Sequence, residues 1–150
     1  MLDISGKRGV APDLAGPIDV DAKDDRKLSI AEMAETFGVT LRALRFYEEK
    51  GLLNPERRGA RRYYHARDIG RMRVILQAKR LGLTLTEIRD VIALVEGRME
   101  RGAQLAQLRE ICRRQDEMLK EQQLQLRDQI AEMDDVLTAL DGLIEAGAPA

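Results

Sequence analysis

The chain has a single cysteine, no tryptophan and only five aromatic residues among its 150 positions. One cysteine cannot close a disulfide within the chain or supply a cysteine-only zinc or iron–sulfur site. No apolar run approaches the roughly 20 residues that a membrane-spanning helix needs. The first 17 residues lack the apolar core of a signal peptide. We therefore expect a cytoplasmic protein in a reducing compartment, with no membrane partner.

Residues for catalysis and metal binding are equally scarce. His65 and Cys112 lie in very different segments, and neither a glycine-rich phosphate loop nor a paired metal-ligand spacing occurs. We expect a protein that is not an enzyme and that has no metal site or cofactor. The few aromatic residues favour aliphatic packing between helices over a sandwich or a barrel.

The charge is almost balanced overall but strongly segregated along the chain. The formal net charge of −1 comprises −3 over residues 1–25, +7 over residues 26–101 and −5 over residues 102–150. A neutral total would argue against nucleic acid, whereas a basic middle between acidic ends favours an anionic partner for that middle.

The sequence pattern divides the chain into five parts. Residues 1–26 are acidic and aperiodic, which predicts a flexible arm. Residues 27–97 are expected to form one mainly α domain. Ser29 with Glu32 is a capping box, Gly38 ends the first helix and Thr40 caps the second. Residues 52–64 predict a β-hairpin around a basic tip, and two further helices follow. A linker is expected over 98–102, a long helix over 103–145 and a tail over 146–150.

The long helix requires a partner. No glycine or proline occurs over residues 103–141, and apolar residues recur there in alternating steps of three and four. This heptad pattern predicts a coiled coil, and self-association is the simplest way to bury its seam. The predicted dimerisation residues are Leu105, Leu108, Cys112, Leu119, Leu126, Ile130, Met133, Leu137 and Leu140.

The segment from Ser29 to Lys50 has the spacing of a helix-turn-helix. Gly38 lies where the tight turn needs a positive φ, and Leu44 and Tyr47 occupy inward positions. Thr40, Arg42 and Arg45 would then face the major groove of DNA. An ordinary helical hairpin within a core is the alternative. Basic residues of the hairpin tip and the third helix favour DNA instead, namely Arg57, Arg58, Arg61, Arg62, Arg67, Arg71, Arg73, Lys79 and Arg80.

These residues resemble a known family. The run LRALRFYEEKGLL over 41–53 looks like the signature of MerR-type transcriptional regulators. The Arg62-Tyr63-Tyr64 segment with Asp68, followed by KRLGLTLTEI over 79–88, is similar to the same family in order and spacing. The resemblance is close over 27–97, and the fold it implies is a winged helix-turn-helix followed by a long, antiparallel coiled-coil helix.

The resemblance implies a mechanism and a set of contacts. Such proteins bind a pseudo-palindromic promoter as homodimers and distort its spacer, which lets RNA polymerase engage both promoter elements. Residues that match the family's DNA-contacting positions are expected to bind DNA here, and Arg61 of the wing is added to them. The predicted DNA-binding residues are Thr40, Arg42, Arg45, Tyr47, Arg61, Arg62, Tyr64 and Lys79. The alternative from another class is a coiled-coil adaptor whose basic domain docks an acidic protein or RNA.

The sequence does not identify an effector. Metal sensors of the family carry cysteines at the start of the long helix and in a loop after it, and both places lack cysteine here, so we expect no metal sensing. Cys112 fits the seam as a small apolar residue, and a redox or electrophile sensor is the alternative. Residues 76–88 also resemble members that regulate branched-chain amino-acid and acyl-CoA breakdown. The target genes, and whether binding activates or represses, are not determined by the sequence.

Overall fold

A computed structural model of the chain describes residues 11–18 and 25–147. Within them the elements are a 3₁₀ turn over Asp13–Ala15, strand β1 (Lys27–Ser29), helices α1 (Ile30–Phe37) and α2 (Leu41–Glu49), strands β2 (Glu56–Arg58) and β3 (Arg61–His65), and helices α3 (Ala66–Arg80), α4 (Leu85–Glu96) and α5 (Arg101–Glu145). The chain divides into two units, Met1–Ile111 and Cys112–Ala150. The expected fold class is confirmed: mainly helical, with a winged helix-turn-helix and a long C-terminal helix.

Local capping defines the helix-turn-helix. The Ser29 hydroxyl accepts from the Glu32 amide at 3.2 Å, and the Glu32 carboxylate accepts from the Ser29 amide at 3.1 Å. Gly38 ends α1 with φ +63°, in the left-handed region that glycine adopts at no steric cost. The Thr40 hydroxyl accepts from the Ala43 amide at 3.0 Å and starts α2. The predicted capping residues thus act as the sequence indicated.

The wing is a three-stranded antiparallel sheet in the order β1-β3-β2. β2 and β3 form the predicted hairpin, with Glu56 opposite Tyr63. β1 pairs with the other edge of β3, with Lys27 opposite His65, and this strand is absent from the sequence prediction. A lone hairpin is marginal in water, so the third strand adds support that connects the wing to the start of α1.

A mostly aliphatic core lies beneath these elements. Its fully buried side chains come from α1, α2, the loop before the wing, β3, α3 and α4, and include Met33, Leu44, Leu53, Tyr64, Met72, Ile75 and Val91. A second capping box, formed by Thr84 and Glu87, starts α4. The core therefore holds the helix-turn-helix, the wing and the α3–α4 pair together as one unit.

The amino-terminal segment differs from the predicted flexible arm. Residues 11–18 pack against α3, and Leu14 and Ala15 are buried. The expectation of a flexible arm over 1–26 is therefore wrong for residues 11–18, because Leu14 and Ala15 are buried in the folded domain. Residues 1–10 and 19–24 of that arm, and residues 148–150 of the predicted tail, lie outside the described residues.

The long helix begins slightly earlier than expected. α5 starts at Arg101, within the predicted linker, because the Glu100 carboxylate accepts from the amides of Gly102 and Ala103 at 2.9 and 3.2 Å and caps the helix. Its end at Glu145 is as predicted. No helix over residues 11–18 and 25–147 is long and apolar enough to cross a membrane.

Candidate nucleic-acid interface

Helix α2 separates its buried side chains from its charged ones. Leu44 and Tyr47 face the core, whereas Arg42, Arg45 and Phe46 are exposed. Neither arginine makes an ion pair with any residue over 11–18 and 25–147. The outer face of α2 therefore presents two guanidinium groups with free donors, which suit phosphates and guanine edges.

Helix α3 brings a third cation next to α2. A groove of about 410 Å³ runs along α2, with Thr40, Arg42 and Phe46 on one side and Lys79 and Leu85 on the other. Lys79 is exposed and has no ion pair in the part of the chain that the structure describes. The fold thus brings together predicted residues that lie almost 40 positions apart in the sequence.

The wing carries four arginines, three of which are already paired. Arg57 and Arg62 both contact the Glu48 carboxylate of α2, at 2.5 and 3.1 Å. Arg58 pairs with Glu56 at 2.8 Å, and this hydrogen bond, helped by that of His65, holds the pKa of Glu56 below its ordinary value. Arg61 is exposed and makes no ion pair with the described residues. Arg61 is thus the wing cation with the most freedom to contact a phosphate.

The two tyrosines among the predicted DNA-binding residues are buried. Tyr64 is fully buried, and its hydroxyl has no hydrogen-bond partner among the described residues. Burial, together with the nearby Glu48 carboxylate, raises the pKa of Tyr64. Tyr47 is also buried, although it lines the groove beside α2. Both side chains thus pack in the core beneath α2 and the wing, and their role as DNA contacts stays a prediction.

Two residues of the site were not predicted. Phe46 is 44% exposed and lies one helical turn after Arg42, so the i, i+4 spacing was the signal that could have identified it. Glu48 joins α2 to two wing arginines and thereby fixes the wing against the helix. No local pattern indicates this role, because the partners lie nine and fourteen residues further along the chain.

A polar cluster behind the wing holds the supporting elements together. Arg71 of α3 donates to the Glu96 carboxylate at 2.6 and 2.8 Å and to the Leu52 carbonyl at 3.0 Å. Asp68 accepts from the Asn54 amide at 3.1 Å. Burial raises the pKa of Asp68 despite that bond and the nearby positive charge of Arg71. These contacts connect α3 and α4 to the loop that enters the wing.

An effector could bind at a metal site or at a reactive thiol. Among residues 11–18 and 25–147, no group of three or more histidine, cysteine, aspartate or glutamate side chains is arranged to bind a metal ion. Cys112 is half-buried, and burial raises the pKa of its thiol. A raised pKa lowers the thiolate fraction and therefore disfavours reactivity.

Comparison with known proteins agrees with this geometry. The profile of the MerR HTH regulatory protein family matches residues 28–95, and a second profile, described as MerR, DNA binding, matches residues 69–143. The HTH-type transcriptional regulator CueR of Yersinia pestis is 39% identical over 69 residues, which are 45% of this chain and 50% of CueR. The mercuric resistance operon regulatory protein of Serratia marcescens is 38% identical over 77 residues, 50% of this chain and 54% of the relative. The chain thus aligns with about half the length of these curated relatives.

Solved structures show the same fold. A MerR-family transcriptional regulator from Bacillus cereus superposes with a TM-score of 0.63 at 29% identity, covering 77% of this chain and 84% of that one. HiNmlR, a MerR-family regulator that lacks the sensor domain and was solved bound to promoter DNA, gives a TM-score of 0.57 at 23% identity, covering 81% and 92%. With one profile spanning half of the sequence and the winged helix-turn-helix in place, the chain belongs to the MerR family of HTH regulatory proteins.

Proposed function

We propose that this protein is a homodimeric transcriptional regulator that binds a pseudo-palindromic promoter through α2 and the wing. The observation that carries the proposal is the cluster of unpaired cations at one face of the first unit. Arg42 and Arg45 project from α2, and Lys79 lies across the groove from Arg42. Unpaired, exposed cations beside a helix that fits the major groove are the electrostatic feature of a DNA-binding surface.

The second unit supports a dimer. From Leu119 onwards the apolar residues of α5 are about half exposed, including Leu126 at 57% and Ile130 at 55%. A helix with an exposed apolar stripe of this length is stable in water only when a partner covers it. Of the predicted dimerisation residues, Leu119, Leu126, Ile130, Met133, Leu137 and Leu140 are exposed and available, as is Leu105, whereas Leu108 is already buried within its own chain.

Charge along α5 favours an antiparallel pair. Residues 101–114 contain four arginines against one glutamate, and residues 115–145 contain nine acidic residues against two basic ones. In an antiparallel dimer the basic end of one helix lies beside the acidic end of the other, whereas a parallel dimer places like charges together. The antiparallel arrangement also separates the two DNA-binding domains, as two half-sites of a promoter require.

Family membership supports a mechanism in which binding distorts the promoter spacer. Bending and untwisting a short duplex costs on the order of a few kcal/mol, which contacts from both wings and both α2 helices offset. The distorted promoter then presents both of its elements to RNA polymerase, which is an indirect partner. From the same family membership we infer that the protein acts in the cytoplasm as a regulator and has no enzymatic activity.

The test is binding to a duplex selected from a randomised pool by the protein itself. Arg42→Ala and Arg45→Ala are each expected to weaken binding by about tenfold or more and to reduce the salt dependence of binding, because each removes a cation from both half-sites. Arg127→Ala is the matched control, since it deletes an exposed arginine of α5 and should leave affinity unchanged. Equal affinity for the selected and a random duplex would contradict the proposal and favour the adaptor.

A further inference from the structure

The segment over residues 11–18, called the strap here, connects elements that are distant in sequence. Its 3₁₀ turn buries Leu14 and Ala15, which are only 2% and 3% exposed. The Leu14 amide donates to the Gln77 side-chain oxygen in α3 at 2.6 Å. The strap is therefore anchored on the middle of the domain by both apolar burial and a backbone hydrogen bond.

Two glycines show how closely the strap fits. Gly16 has φ +57°, and a Cβ atom there would lie 3.2 Å from the Val95 Cβ of α4. At Gly70 of α3, a Cβ atom would lie 2.9 Å from the Ile18 Cγ2. A Cβ atom at Gly16 would be strained by the positive φ and crowded by Val95, and one at Gly70 would displace the Ile18 side chain, so the strap packs closely against both helices.

The strap also contacts the first residue of the long helix. The Arg101 guanidinium donates to the Gly16 carbonyl at 3.2 Å. Only residues 97–100 separate α4 from α5, and all four are exposed. Across the same joint, the Gln104 side-chain Nε2 donates a hydrogen bond to the Gly97 carbonyl at 3.0 Å. The strap thus joins α3, α4 and the start of α5 beside a linker whose four residues are all exposed.

We propose that the strap makes this joint rigid and thereby determines which spacing between half-sites the dimer accepts. The inference rests on the proposed function, because it assumes a dimer that holds two half-sites. In such a dimer each DNA-binding domain is carried by the start of α5. A rigid joint allows both domains of the dimer to bind half-sites at one spacing and disfavours other spacings. A loose joint allows several spacings, but the second domain then has a lower effective concentration at its half-site. Leu14 and Arg101 are positioning residues in this scheme.

The experiment compares the full chain with Leu14→Ala and Arg101→Ala. The probes are duplexes with the selected half-sites moved apart or together in single base-pair steps, and a duplex with one half-site. The wild type is expected to lose about tenfold in affinity when the spacer changes by two base pairs, and the strap variants about threefold or less, with single-half-site affinity unchanged. Leu83→Ala is the control, since it truncates a buried leucine outside the strap and should keep the wild-type spacing profile.

A second measurement does not depend on DNA. Amide hydrogen exchange over residues 97–104 should rise about tenfold or more in both strap variants, while α1 and α2 keep their protection. Arg101→Ala keeps the test decisive if Leu14→Ala fails to fold. If the variants bind DNA with the wild-type spacing profile, or if hydrogen exchange at the joint equals that of the wild type, the proposed role of the strap is wrong and the proposed function is unaffected. Failure of the wild type to prefer any paired half-sites would contradict the proposed function and the spacing role together.

Discussion

The ion cluster of Glu96 with Arg71 and Arg67 allows a stability prediction of defined size. The side chains of Arg71 and Glu96 are 15% and 16% exposed, and two hydrogen bonds of 2.6 and 2.8 Å join them. Glu96→Gln keeps one acceptor but removes the charge opposite a largely buried guanidinium. Breaking a fully buried pair costs about 3–5 kcal/mol, and the remaining acceptor with partial solvent access reduces this to about 2–3 kcal/mol.

The assay is thermal and urea unfolding of Glu96→Gln beside two comparison variants. Glu35→Gln removes an exposed carboxylate of α1 and should change stability by no more than about 0.5 kcal/mol. Arg67→Ala removes the outer arginine, which is 60% exposed, and should cost less than about 1 kcal/mol. A Glu96→Gln variant as mild as Glu35→Gln, or an Arg67→Ala variant as costly as Glu96→Gln, would contradict the prediction.

The same cluster predicts a pH dependence. Burial raises the pKa of Glu96, but the hydrogen bonds from Arg71 and Arg67 outweigh it and hold the pKa below its ordinary value of 4.5. Because the pKa is lower in the folded state than in the unfolded state, the stabilisation is complete above that ordinary value and is lost as the pH falls below it. The stability difference between wild type and Glu96→Gln should therefore be constant near pH 7 and shrink below about pH 4.5.

Three further predictions concern the turn, the long helix and the thiol. Gly38→Ala should destabilise the domain by about 1–2 kcal/mol in urea unfolding, through left-handed backbone strain alone, since a Cβ atom would meet nothing within 4 Å. Gly142→Ala, in the interior of α5, should instead be neutral or stabilising. Ile130→Glu should convert the proposed dimer to a monomer in sedimentation, whereas Gln125→Glu adds the same charge off the apolar stripe; a dimeric Ile130→Glu variant would contradict the pairing face. Cys112 should react with iodoacetamide more slowly in the native protein than in urea, because burial raises its pKa, and equally fast reaction would support a sensor.

Much of the fold could be predicted because its signals are local. Ser29 with Glu32, Thr84 with Glu87 and the left-handed Gly38 each act within four residues of their own position. The wing hairpin likewise follows from a turn between two short β-favouring segments. By contrast, β1 could not be predicted from its three residues, since its partner β3 lies more than 30 positions away and only that pairing makes it a strand.

In the candidate site, too, the features set by local sequence were predicted and those set by tertiary contacts were not. The helical period placed Arg42 and Arg45 outward and Leu44 inward, as the structure shows them. The burial of Tyr64 was not predicted, because Tyr64 was assigned by matching its position to the family pattern, and such a match gives no information on exposure. The pairing of Arg57 and Arg62 with Glu48 was also missed, since it depends on how the wing folds back onto α2.

The sequence by itself determined the class of protein, the order of its helices and of the β2–β3 hairpin, and the separation of charge into a basic domain and an acidic helix. Those properties depend on periodicity, capping and composition, which act over a few residues or sum along the chain. Tertiary structure alone decided which cations stay unpaired, that Lys79 lies beside α2, and that residues 11–18 form a strap against α3, α4 and Arg101. These features require surfaces that exist only after distant segments have packed together, because burial and ion pairing depend on neighbours in space rather than along the chain.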